Sequence, residues 1–173
     1  MQLVPSGPDM IADTVYDAFL TAIFAARERI VVVTPYFVPD DALEHALMLA
    51  TRRGVRTEVL VPRKSNHGLA DFARRESLRD LTKAGVIFRY HPQMVHAKAM
   101  VVDASAAYIG SPNFDMRSLF LNYEDALFVY SPGAVAAIGA FTDELMAECV
   151  PEPPGGRENW LFERLARLLA PEL

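Results

Sequence analysis

The sequence predicts an α/β fold, a mixed and mostly parallel sheet with helices on both faces. Three observations carry that expectation. Helical and strand-like segments alternate from residue 9 to residue 90, the order expected of parallel strands joined by right-handed crossovers. The run RIVVVT at 29–34 is β-branched without polar alternation, which suits a strand buried on both faces. Two helical segments stop at glycines, Gly54 and Gly85, each in the position that favours a left-handed backbone.

In chain order, a Pro/Gly-containing lead (Pro5, Gly7, Pro8) precedes Asp9, read as the N-cap of a helix running to about Arg27. Its apolar positions Ile11, Val15, Ala18, Phe19, Ala22 and Ile23 recur at helical spacing. After the strand at 29–34 comes an aromatic loop, PYFVP, between Pro35 and Pro39. Loops at the C-terminal ends of such strands commonly bind ligands, so Tyr36 or Phe37 could line a site or pack beneath the loop. Asp40 or Asp41 caps the next helix, with Leu43, Ala46, Leu47 and Ala50 facing inward. A strand at 56–61, a polar connection through Pro62, Lys64, Asn66 and Gly68, a helix at 69–84 and a strand at 86–90 follow.

From Val95 the rhythm changes to short strands at 97–102, 106–109 and 123–130. No helix fits between the first two, so an antiparallel hairpin is expected within the sheet. Pro132 starts a helix reaching about Cys149. The cluster Pro151, Pro153, Pro154, Gly155 and Gly156 then marks a break. Residues 1–150 thus read as one domain, and 151–173 as a linker with a C-terminal amphipathic helix at 157–170. In that helix Leu161, Leu165 and Leu168 lie beside Arg157, Trp160, Arg164 and Arg167. Interfacial membrane helices share this pattern with helices docked on their own domain.

Composition narrows the function classes. A chain of 173 residues, 51% hydrophobic, is long enough for one domain with a full core. A formal charge of −5 argues against a dedicated nucleic-acid binder. Residues 51–100 nevertheless hold eleven Lys and Arg against four acids, a local balance of +7. An anionic substrate or lipid surface could be met there, although solvated helix faces bearing Arg74, Arg75, Arg79 and Lys83 would look the same. The sequence has no apolar run long enough for a transmembrane helix and no signal-peptide pattern. Cys149 is the only cysteine; it can form no internal disulfide, and no zinc-ligand spacing accompanies it.

The chemistry gathers between Val95 and Glu124. In a strand, alternate side chains share a face, so His96 and Lys98 point the same way. Imidazole supplies a nucleophile or proton carrier near neutral pH, and ammonium stabilises charge on phosphate oxygens. Gly110 permits close backbone approach, while Ser111 and Asn113 can donate to phosphate. Glu124, set in apolar sequence, needs a partner. A carboxylate on one ring nitrogen of His96 would fix its tautomer and favour the imidazolium.

Together, His96-x-Lys98-x4-Asp103, Gly110-Ser111-x-Asn113 and Glu124 resemble the HxKx4D signature of the phospholipase D superfamily. The runs TPYFVPD, HAKAMVVD, GSPNFDMRSLFLNYE and LFERLARLLAP are similar to the C-terminal half of bacterial cardiolipin synthases. The resemblance implies one half of a phospholipase D-like fold and a two-step phosphatidyl transfer through a phosphohistidine. It makes His96 nucleophile or general acid, gives the phosphate to Lys98 and Asn113 with help from Ser111, and has Glu124 orient His96. No metal or other cofactor is implied. Asp103, at the strand's end on the opposite pleat, is expected to make a structural hydrogen bond, and Asp115, Arg117 and Ser118 to shape the turn after Asn113. His67 could reach the site, whereas His45 and His91 read as surface or loop residues.

Only one signature is present, and superfamily sites use two. The implied partners are therefore an anionic phospholipid, a second HxK-bearing half in a longer chain or a second copy, and a membrane surface that this segment meets peripherally in a bacterium. Phosphatidylglycerol is the expected substrate, in cardiolipin synthesis. The competing expectations are a homodimeric single-motif phosphodiesterase or endonuclease and a catalytically incomplete lipid-binding half-domain.

Overall fold

The structure, a computed structural model, describes residues 1–151. The helix expected at 157–170 and most of the linker before it lie outside the described residues.

The chain begins with β1 (Gln2–Ser6) and α1 (Thr14–Ala25), followed by β2 (Arg29–Val33), the two-residue β3 (Phe37–Val38) and α2 (Asp41–Arg52). Next come β4 (Arg56–Pro62), α3 (Gly68–Lys83) and β5 (Ile87–His91). The remainder is β6 (Ala99–Val102), β7 (Ala106–Gly110), β8 (Phe114–Asp115), α4 (Met116–Phe120), β9 (Glu124–Val129) and α5 (Pro132–Ala147). Seven strands form one sheet in the order β1-β9-β7-β6-β2-β4-β5, and β3 pairs with β8 apart from it.

The expected mixed sheet between helices is present, but its pairing is not mostly parallel. Within the seven-stranded sheet only β2–β4 and β4–β5 are parallel neighbours. The β2–β6, β6–β7, β7–β9 and β1–β9 pairs are antiparallel. One turn makes the change of direction plain: the three residues between β6 and β7 can turn the chain back but cannot carry it over the sheet.

The Pro/Gly-containing lead is also more ordered than its composition suggests: Gln2–Ser6 is an edge strand on β9, with Pro5 opposite Asp125. Proline lacks an N–H, which an edge strand tolerates. The first helix starts at Thr14, with Asp13 rather than Asp9 at its N-cap position. Asp40 does cap α2, accepting from Leu43 N–H at 3.1 Å and Ala42 N–H at 3.4 Å.

Alternation within the strands divides the core. Ile30 and Val32 of β2, Val59 and Val61 of β4, Met100 and Val102 of β6, and Tyr108 of β7 join the cluster packed with α1 and α2. The intervening Val31, Val101 and Ala107 pack on the opposite face with Val135 of α5. Beneath the first face Phe19 stacks on Phe114 at 4.6 Å between centroids and meets Tyr108 edge-on at 4.7 Å. Such pairs add about 1 kcal/mol beyond buried area. They tie α1 to β7 and β8, the elements on either side of the Ser111–Asn113 turn.

Candidate active site

His96 and Lys98 sit just before β6, at the sheet end where β2 and β4 finish. Their shared parity brings them together: Lys98 Nζ lies 2.9 Å from His96 Nδ1 and donates to the His96 carbonyl at 3.0 Å. A ring nitrogen that accepts from ammonium is unprotonated. Burial and then the Lys98 charge hold the His96 pKa below its ordinary value. Burial also lowers Lys98, against support from Glu124 and Asp115.

Two expected features of Glu124 therefore need correction. It accepts from Asn122 Nδ2 at 3.1 Å, and no hydrogen bond joins it to His96. Its charge acts on Lys98 instead, and His96 is biased toward neutral imidazole, not imidazolium. Sheet order is the reason, since Glu124 opens β9 and β7 lies between β9 and β6.

That spacing works only because Gly110 carries no side chain. A Cβ there would lie 2.4 Å from the Asp125 carbonyl oxygen and 3.0 Å from Ala126 Cα. Its N–H also reaches the Lys98 carbonyl at 3.3 Å. Next to it Ser111 clasps Asp125: the Ser111 N–H donates to the Asp125 carbonyl at 3.0 Å, and Ser111 Oγ accepts the Asp125 N–H at 3.0 Å. Among the described residues no acceptor takes the Ser111 hydroxyl proton. Tyr108 braces the same turn, donating from Oη to the Pro112 carbonyl at 2.8 Å.

Asn113 faces inward. Its Nδ2 donates to Ser118 Oγ at 2.9 Å, and Oδ1 is buried without a partner. Asp115 caps α4 by accepting the Ser118 N–H at 2.7 Å, and burial holds its carboxyl above the ordinary range despite that bond. The Arg117 carbonyl accepts from the Leu121 and Asn122 N–H groups at 2.9 and 3.0 Å, closing the turn toward Glu124.

Asp103 lies at the other end of β6, in a left-handed conformation (φ 52°). Its carboxylate accepts from the Arg27, Glu28 and Arg29 N–H groups at 3.0, 2.8 and 2.8 Å. Burial opposes its ionisation, but these donors prevail and lower its pKa.

Of the two loop aromatics expected to line the site or pack beneath the loop, Phe37 is buried and Tyr36 stands beside His96. Its ring centroid is 6.2 Å from those of both His67 and His96, nearly perpendicular to each. The sequence signal was the position of PYFVP after a buried strand. His45 is exposed on α2, with Nδ1 3.0 Å from the Asp41 carbonyl oxygen. His91 is not the surface or loop residue expected: it ends β5, 2% exposed, with Nε2 3.2 Å from Glu148 Oε2.

Among the described residues no cluster of His, Cys, Asp and Glu could hold a metal ion, and no helix is long and apolar enough to cross a membrane.

A mixed sheet between helices, with a His-x-Lys pair and a Gly-Ser-x-Asn turn at one end, defines a phospholipase D-like domain. Sequence comparison makes the assignment specific: the profile described as "Cardiolipin synthase, PLD-like domain" matches residues 19–146, and the chain belongs to that family. It is 37% identical to cardiolipin synthase A of Yersinia pseudotuberculosis (strain IP 31758) over 148 residues, 85% of this chain and 30% of the relative. The chain thus spans under a third of the length of that relative.

Two solved structures share the fold. The phospholipase D family member Nuc from Salmonella typhimurium superposes with a TM-score of 0.71 at 20% identity, covering 86% of this chain and 96% of Nuc. Phosphatidylserine synthase from Haemophilus influenzae Rd KW20 gives 0.72 at 16% identity, covering 97% of this chain and 45% of that one.

Proposed function

We propose that this chain supplies one half-site of a phosphatidyltransferase that makes cardiolipin from phosphatidylglycerol through a phosphohistidine. The contact between His96 and Lys98 at the open end of the sheet carries the reading. Lys98 covers a ring nitrogen in the free site; a phosphate oxygen would draw the ammonium away and release that nitrogen. Lys98 then holds the phosphate with the Ser111 hydroxyl. Asn113 contributes through the turn it braces, and direct phosphate contact requires its amide to swing away from Ser118.

In the first step one histidine nitrogen bonds to phosphorus, the phosphorus–oxygen bond to the leaving alcohol breaks, and a second histidine gives that oxygen a proton. In the second step the acceptor hydroxyl oxygen bonds to phosphorus, the phosphorus–nitrogen bond breaks, and the second histidine takes the acceptor's proton. One chain carries one such histidine, so the reaction needs a second HxK-bearing half. Identity to cardiolipin synthase A supports the lipid substrate. Membrane association, peripheral in this segment, follows from that substrate.

The test is His96→Ala in the intact protein, with lipid products measured by mass spectrometry. Product formation should fall by at least about 10³, and near-normal cardiolipin formation would overturn the assignment. The homodimeric phosphodiesterase remains the competing reading because the chain matches Nuc over nearly Nuc's full length. Salt-sensitive DNA cleavage by the purified chain, without lipid transfer by the intact protein, would favour it.

A further inference from the structure

The connection between β4 and α3, residues 63–67, is held from below. Arg74, 5% exposed, donates through Nη2 to the Pro62 carbonyl at 3.0 Å and the Arg63 carbonyl at 3.3 Å. Asp71 Oδ2 accepts the Ser65 N–H at 2.9 Å. Ser65 Oγ donates to the His67 carbonyl at 3.1 Å and accepts the His67 N–H at 3.0 Å. These bonds fix the backbone from which the exposed Asn66 and His67 project.

Tyr36 joins this loop to the reacting pair. Its hydroxyl donates to Asn66 Oδ1 at 2.5 Å, and its ring lies 6.2 Å from both His67 and His96. Its own backbone is pinned, since Thr34 Oγ1 donates to the Tyr36 carbonyl at 2.8 Å and accepts the Phe114 N–H at 3.2 Å.

With Oδ1 occupied, Asn66 presents the two hydrogens of Nδ2. The two His67 ring nitrogens can donate and accept, and no hydrogen bond to another described residue occupies either of them. Hydroxyl groups, which donate and accept, match this mixture. A phosphate diester only accepts and would leave the accepting capacity of the ring unused.

We propose that Tyr36, Asn66 and His67 form a polyol subsite beside His96 that holds the glycerol hydroxyls of the leaving or incoming alcohol. The proposal rests on the phosphatidyltransferase reading and adds what selects the alcohol. An alcohol bound there competes with water by position as well as by concentration.

The intact protein, given phosphatidylglycerol vesicles, is offered deuterated glycerol or ethanol as acceptor, so that the lipid formed with either alcohol differs in mass from the donor. Ethanol has one hydroxyl, the one that reacts, and cannot use the subsite. His67→Ala and Asn66→Ala should each lower the glycerol-to-ethanol ratio of kcat/KM by about tenfold, chiefly through a higher KM for glycerol. His67→Gln, which keeps a donor and an acceptor, should recover part of the ratio. An unchanged ratio, or equal loss for both acceptors, overturns the subsite while leaving the transferase reading intact. Failure of the unsubstituted protein to transfer to any alcohol overturns both.

Discussion

The two ends of β6 hold polar residues in opposite ways. At one end His96 and Lys98 bond to each other and stand at the surface, His96 exposed and Lys98 half-buried. At the other Asp103 is bound by three backbone N–H groups. On the neighbouring β4, Glu58, 3% exposed, receives Arg56 at 3.0 and 3.2 Å and Arg89 at 3.0 and 3.2 Å, with Arg29 3.8 Å away. Groups with spare hydrogen-bonding capacity can meet a ligand, whereas groups whose capacity is spent hold the sheet. A single sequence signature, read along one strand, therefore joins a reactive pair to a structural anchor.

Substitutions can test that division. Asp103→Ala leaves three N–H groups without their acceptor and puts alanine in a left-handed conformation, so it should cost about 3 kcal/mol in denaturant unfolding. Turnover per folded molecule should be unchanged; lost turnover with retained stability would move Asp103 to the reactive set. Because its folded pKa lies below 3.8, the Asp103 contribution is present above about pH 4 and fades as pH falls through the folded value.

Glu58→Gln should cost less, about 2 kcal/mol, since Arg29, Arg56 and Arg89 are each more than a third exposed and can turn to solvent. Thermal melts would check this, and a stability gain would show that burying the carboxylate outweighs its ion pairs.

The smallest effect concerns protons alone. Burial and the Lys98 charge lower the His96 pKa, so NMR titration of its ring should give a midpoint below 6.5, and Lys98→Met should move it upward. A midpoint at or above 6.5 in the unsubstituted chain would restore Glu124 as the charge governing His96.

Much of this was legible in the sequence for a physical reason. Long elements advertise themselves: RIVVVT, the capped helix after Asp40 and the segment ending at Gly85 each combine periodicity with a stop signal. The β3–β8 pair has two residues per strand and α4 has five, too few to display a period. The proximity of His96 and Lys98 followed from parity within one segment. Contacts of Glu124 depended on which strands intervene, and the position of Tyr36 depended on the fold of a loop thirty residues from its Asn66 partner. Those are properties of topology, which spacing along the chain does not encode. The misreading of β1 has the same origin, because a proline that forbids a central strand is harmless at an edge.

That edge strand bears on how the domain can be divided. The family match starts at residue 19, which invites a fragment trimmed to that limit. It would discard Gln2–Ser6 and lay bare the side of β9 that now pairs, residue for residue, from Glu124 to Phe128. An uncovered strand is a template for joining other chains. Aggregation of such a fragment would reflect where it was cut, not any insolubility of the native domain.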